Sequence, residues 1–243
     1  MTSTLIWQQV FLQTEEQARF FAVSNALIRR LNPDTDILVI DNASPIDPRP
    51  NATPDLWYRF KDSLGHFFHG TLDGSVPRDG PGRAHTVALA IAMASNYDRA
   101  VYIEADALFA LPVAWGFDQL TKPIGCQPSC GYYSADWHVW WIKDLKWFRA
   151  FDWWGKYDWP NRVGDRRGEP AGEVLYERIF SEHMQRLPVR GNRGEVLRLN
   201  AHNYHALFPR GCHIVTHVDA HCAEVFLADN GFHDLIPSLY PPV

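Results

Sequence analysis

The run DILVIDNASP at residues 36–45 reads as a strand that is buried on both faces and then stops abruptly. Ile37-Leu38-Val39-Ile40 is continuous and largely β-branched, the composition of a central parallel strand rather than of a half-solvated antiparallel one. Asp41-Asn42-Ala43-Ser44-Pro45 then supplies turn residues. Upstream, Leu5 to Leu12 has strand composition, and Thr14-Glu15-Glu16-Gln17 is an N-cap with an acidic first turn. Ala18, Phe21, Ala22, Leu27, Ile28 and Leu31 follow at helical spacing until Asn32-Pro33 closes the pattern. The order is therefore strand, helix, strand.

Downstream, residues 46–82 are rich in proline and glycine and read as loop, with a short strand near Leu56 to Phe60. Gly82-Arg83-Ala84-His85 opens an alanine-rich helix that ends near Asn96, and Ala100-Val101-Tyr102-Ile103 is a second buried strand, closed by Glu104-Ala105-Asp106. The second half shows strand patterns at Ile124 to Tyr133 and His138 to Ile142, then an aromatic segment from Trp147 to Trp159 and a polar loop at Asn161 to Gly172. A helix over Glu173 to Met184 precedes a basic loop carrying Arg186, Arg190, Arg193 and Arg198, and a strand follows around His213 to Val218. These patterns predict one α/β domain over residues 1–243, with a mostly parallel central sheet and an irregular, aromatic-rich C-terminal half.

Composition narrows the function. The chain has 243 residues, 46% hydrophobic and 21% charged, which is ordinary for a globular protein. Its formal charge is −5 and no basic stripe is present, so nucleic acid is not an expected partner. No apolar stretch reaches the roughly 18 residues of a membrane span, which leaves peripheral membrane contact as the only kind expected. The opening MTSTLIWQQVFLQTEEQ lacks a basic region before its apolar stretch, so no secretory signal and a cytoplasmic location are expected. Cys126, Cys130, Cys212 and Cys222 are then expected to be reduced, although the Cys126-x3-Cys130 spacing also suits half of a zinc site.

In an open parallel sheet, ligands bind beyond the carboxyl ends of the strands, where both acid-tipped strands point. Asp41, Asn42 and Ser44 offer acceptors for a base or ribose, or alternatively an Asx turn that simply leaves the strand. Glu104 and Asp106, one residue apart on extended backbone, project to one side and can share a hard dication such as Mg or Mn. His213, His217 and His221 recur at spacing four and could share a metal of their own, which would suit a metal-dependent hydrolase. Trp137, Trp140, Trp141, Trp147, Trp153, Trp154 and Trp159 crowd one stretch, either as core or as a platform for sugar rings. Among them Trp153, Trp154 and Trp159 are the candidates for such a platform, which a non-catalytic sugar-binding module would also need. The first strand lacks a G-x-G-x-x-G turn, which argues against a dinucleotide oxidoreductase.

DILVIDNASP at 36–45 and GRAHTVALAIAMASNYDRAVYIEADALF at 82–109, with the strand-helix-strand order before them, resemble the N-terminal half of GT-A fold glycosyltransferases, especially bacterial family 2-like enzymes. The resemblance implies a nucleotide-sugar-binding half at 1–110, an acceptor-binding half at 111–243, and transfer of a sugar from a nucleotide diphosphate donor to a hydroxyl acceptor, a glycan among them. It implies that Asp41 contacts the nucleotide base and that Arg83 lies near the diphosphate or ribose. The D-x-D-like motif Glu104-x-Asp106, with Glu where that family commonly has Asp, would hold Mn or Mg at the diphosphate, and His217 would complete the metal shell. The resemblance implies a catalytic base at the start of the helix after the polar loop, where Glu169, Glu173 and Glu177 stand; Glu173, on the first helical turn, is the choice among them, with helix-dipole stabilisation as its alternative role. The basic loop at 186–198 could close over the donor phosphates.

Overall fold

The computed structural model describes residues 2–64, 80–128, 135–153, 156, 179–189, 191–193, 212–216 and 218–241. Four parallel strands, β1 (Thr4–Val10), β2 (Asp36–Asp41), β3 (Leu56–Arg59) and β4 (Arg99–Ile103), form one side of a seven-stranded sheet in the order β3-β2-β1-β4-β7-β6-β8. The other side holds β6 (Ile124–Pro128), β7 (Ala135–Ile142) and β8 (Met184–Arg186). β7 runs antiparallel to both β4 and β6, while β8 is parallel to β6. The expected mostly parallel α/β sheet is therefore present, with β7 the reversed strand.

Alternation along the strands sorts the core into two layers. Leu5, Trp7, Leu38, Ile40, Tyr102 and Trp140 face α2 (Gly80–Ala94), whose Ala84, Ala88, Leu89 and Ala92 let the helix lie close to the sheet. Ile6, Ile37, Val39, Val101, Ile103 and Trp141 face the opposite way, toward α1 (Glu15–Leu31) and α3 (Val113–Gln119). Trp141 leaves no room for a side chain at Gly116 of α3, where an added Cβ would meet the indole at 2.3 Å. Thr14 caps α1 in a reciprocal box with Gln17, as the sequence indicates, and Asn32 ends it.

A third layer covers the outer face of α1. Phe20, Val23 and Leu27 pack against Cys222, Ala223, Phe226 and Leu227 of α5 (Ala220–Asp229), and against Leu235 and Leu239 of the 3-10 segment His233–Leu239. A small sheet, β5 (Leu108–Phe109), β10 (Ile214–Thr216) and β9 (Gly191–Arg193), lies alongside in the order β5-β10-β9. The short helix α4 (Leu145–Ala150) follows β7 and is capped by Asp144.

Three sequence expectations change here. Met184 begins a strand rather than ending a helix, because the edge of the sheet offers β6 as a partner and Met184 pairs with Ile124. The basic segment contributes Arg186 to β8 and residues 191–193 to β9, so two of its described stretches belong to sheets, with 187–189 as connecting chain between them. Trp153 is a core residue, 2% exposed and packed against Phe148, not part of a sugar platform; Trp140 and Trp141 are likewise buried. Trp154, Trp159 and Cys130 lie outside the described residues. Buried Cys212 and Cys222 share the third layer, and burial pushes their thiols up to about 11 and about 12, which keeps them protonated and inert. No helix among the described residues is long and apolar enough to cross a membrane.

Candidate active site

β4 delivers its acids to the carboxyl edge of the sheet and locks them there. The chain turns at once, with the Ala107 N–H donating to the Glu104 carbonyl at 3.1 Å. The Ala107 carbonyl in turn accepts from the Ser24 hydroxyl of α1 at 2.7 Å. Gln8 donates to Ser24 at 3.1 Å and accepts from Asn25 at 3.0 Å, and all three side chains are 0% exposed. A satisfied polar network in so dry a place fixes geometry, since each unmet partner would carry a desolvation cost. The turn that carries Glu104 and Asp106 is thus tied to β1 and α1.

The reversed strand brings a third group. Because Ile103 pairs with Val139, His138 falls opposite Glu104, whose N–H donates to the His138 carbonyl at 2.7 Å. The His138 Nδ1 and the Glu104 carboxylate are hydrogen-bonded partners. Ligand atoms of Glu104, Asp106 and His138 all lie within 4.8 Å of one another. Two carboxylates and one imidazole form a donor set that fits a divalent cation, with charge to offset it and both oxygen and nitrogen to bind it.

The tip of β2 is built differently. Asp41 is 0% exposed; one carboxylate oxygen accepts the Ser44 N–H at 2.8 Å, and the other lies 3.3 Å from Nε of Arg59, its register partner on β3. The Ser44 hydroxyl accepts the Leu12 N–H at 2.8 Å, and Ala43 takes a left-handed φ of 59° between them. Asn42 is held by its N–H to the Val10 carbonyl at 2.9 Å, and its side-chain oxygen accepts from Arg83 at 2.5 Å. Arg83 also donates to the Asp62 carbonyl at 2.8 Å and lies over the Phe60 ring at 3.6 Å, where burial lowers its pKa.

Between the two tips lies an open cavity of about 600 Å³, lined by Asn42 on one side and by Glu104, Ala105 and Asp106 on the other. Gln9 to Gln13 form its floor together with Glu16, Gln17, Phe20 and Phe21 of α1, and Gly80, Pro81 and Ala84 of α2 close a wall. Beneath it, the Gln9 amide donates to the Tyr102 hydroxyl at 2.9 Å and lies 3.3 Å from Nε2 of His85. Burial drives the His85 pKa down to about 3, so the ring is neutral.

The expected residues thus divide. Asn42, Glu104 and Asp106 meet on one cavity, while Asp41, Ser44 and Arg83 stand behind its rim, engaged with the protein's own groups. Glu173 and His217 lie outside the described residues. His213 and His221 share no face, because β10 stops at Thr216 and α5 starts at Ala220; His221 is exposed beside Glu224. Among the described residues the three-donor cluster is Glu104, Asp106 and His138, which does not favour a hydrolase built on His213 and His221. The sequence pattern points to a strand from His138 to Ile142, part of β7 (Ala135–Ile142), but gives no sign that His138 belongs to the site. The missing signal was direction, for it is the antiparallel register of β7 that sets His138 beside the end of β4.

No family model and no curated protein sequence matches the chain. Solved structures do. The galactosyltransferase LgtC, in complex with donor and acceptor sugar analogs, superposes with a TM-score of 0.58 at 13% identity, covering 99% of this chain and 97% of its own. The glycosyltransferase GlyE of Streptococcus pneumoniae TIGR4 gives 0.59 at 11% identity over 98% of this chain and 63% of its own. A glycosyltransferase involved in glycosylation of the major capsid of PBCV-1 gives 0.52 at 11% identity over 96% and 99%. What the chain shares with them is the fold, a GT-A-like α/β architecture.

Proposed function

We propose that this protein is a glycosyltransferase that moves a sugar from a nucleotide diphosphate sugar to a hydroxyl acceptor, using a divalent cation. The observation that carries the reading is the cavity at the carboxyl edge of the sheet, with Glu104 and Asp106 on one wall and Asn42 on the other. On a GT-A-like fold, that is the edge where strand ends and helix N-termini converge on a ligand. Residues 1–110 would form the donor half and 111–243 the acceptor half of a single domain.

Glu104, Asp106 and His138 would hold the cation, with His217 as a further ligand, and the closeness of the first three donor groups supports this. Bound there, Mn or Mg would offset the negative charge that gathers on a departing diphosphate. Asn42 faces the donor, and Asp41, Ser44 and Arg83 act on nucleotide recognition by fixing that rim in place. Phe20 and Phe21 give the floor an apolar surface suited to a flat ring, and closing the cavity over the donor would exclude the water that otherwise hydrolyses it. In the transfer itself, the bond from the anomeric carbon to the diphosphate oxygen breaks, the acceptor oxygen bonds to that carbon, and the acceptor proton passes to Glu173.

A thermal-shift panel of uridine, guanosine, thymidine and cytidine diphosphates, each with and without Mn, tests the proposal. Stabilisation by at least one of them that needs the metal is expected. A glycan-binding module without transferase activity would shift with glycans and with none of these nucleotides.

A further inference from the structure

We infer that His138 is a direct nitrogen ligand that selects which dication the Glu104–Asp106 tip accepts, favouring a first-row transition ion over magnesium; this rests on the metal-dependent reading above. Two carboxylates alone make a hard oxygen site that suits magnesium and manganese alike. An imidazole changes the balance, because magnesium holds its water and demands oxygen donors, whereas manganese, cobalt and zinc accept nitrogen readily.

His138 is positioned for this role by the fold. Its backbone is fixed in β7 by the hydrogen bond from Glu104 at 2.7 Å, and the residue is 4% exposed, so the ring has little freedom to turn away. Its Nδ1 faces the Glu104 carboxylate. Ligands on opposite sides of a dication with bonds of about 2.1 Å stand about 4.2 Å apart. The three donor atoms lie within 4.8 Å of one another, a spacing that side-chain adjustment can bring onto one ion. The rival role, in which His138 only orients Glu104 by hydrogen bonding and never touches the ion, is separable by experiment.

Electron spin-echo modulation of Mn bound to the full chain reads directly bonded imidazole nitrogen, and it should be recorded for wild type, His138→Gln, His217→Gln and the double variant. With His217 as the further ligand, two coupled nitrogens are expected in wild type and one in each single variant, and no coupling is expected in the double variant His138→Gln/His217→Gln. In parallel, competition of Mg against Mn should show that the preference for Mn falls roughly tenfold or more in His138→Gln. Mn bound without nitrogen coupling in wild type or in His217→Gln, or coupling in His138→Gln undiminished from wild type, overturns the inference and leaves the carboxylate site standing. Absence of any Mn binding to wild type overturns instead the reading on which the inference rests. Should His138→Gln fail to fold, His138→Asn replaces it, and the wild-type spectrum alone is able to contradict a nitrogen ligand.

Discussion

β2 and β4 run parallel, one strand apart, to the same edge of the sheet, and an acid stands at or just beyond the end of each, yet the two tips are built differently. Asp41 is wholly buried, with Ser44 on one oxygen and Arg59 near the other. Glu104 and Asp106 are half-buried on the cavity wall, where the Glu104 carboxylate meets His138, and the turn that carries them is anchored through its backbone by Ser24 on the Ala107 carbonyl. An acid at a strand end is therefore no guide to its role until its partners are known. Asp41 is enclosed by a backbone N–H and Arg59, whereas Glu104 and Asp106 stand beside His138 on the cavity wall.

Substitution at each tip separates the two roles. Asp106→Asn is expected to cut transfer by about a hundredfold or more, as loss of a charge-stabilising group does, while a urea titration stays within about 0.5 kcal/mol of wild type. Asp41→Asn should do the reverse. Removing its charge leaves Arg59 and the buried turn poorly matched, and a loss of about 2 kcal/mol is expected, reduced from the fully buried case because Arg59 is 38% exposed. Folded Asp41→Asn protein should still bind Mn. Equal losses of stability at both tips would erase the distinction.

Below the cavity, His85 offers a test by pH. Its folded pKa lies at about 3 against an ordinary 6.5, because burial disfavours the charged ring. Below about 6.5 the unfolded chain takes up a proton that the folded chain refuses. This contribution to stability is complete above that pH and is lost on acidification toward about 3, at on the order of 1 kcal/mol per pH unit. Urea midpoints across this window should flatten in His85→Gln. The smallest effect is expected from Ser24→Ala, about 1 kcal/mol by chemical denaturation, accompanied by weaker Mn binding because the turn carrying Asp106 loses its tie to α1. Unchanged Mn affinity would confine Ser24 to the core.

Much of the N-terminal half was legible because its signals are local. The continuous apolar run at 37–40, the helical spacing after Thr14 and the acids closing both strands depend on neighbours in sequence, and each matches an element of the structure. The bare residue types did not distinguish the two tips, since the partners of Asp41 include Arg59, reached only once β3 pairs with β2. His138 stayed hidden for a related reason: its place beside Glu104 follows from the reversal of β7. The strands at 184–186 and 191–193 were equally unreadable, being three residues each and defined by the edges they join. α5 carries an apolar stretch with a weak amphipathic pattern, because Phe20, Val23 and Leu27 of α1 and the segment His233–Leu239 both pack with it.

The most direct measurement is calorimetric titration of the best-binding nucleoside diphosphate into wild type, Asp41→Asn and Asp106→Asn, each with and without Mn. Binding that requires Mn in wild type, persists in folded Asp41→Asn and vanishes in fully stable Asp106→Asn is the expected result. Binding that ignores the metal, or survives unchanged in Asp106→Asn, would contradict a nucleotide site organised at the tip of β4.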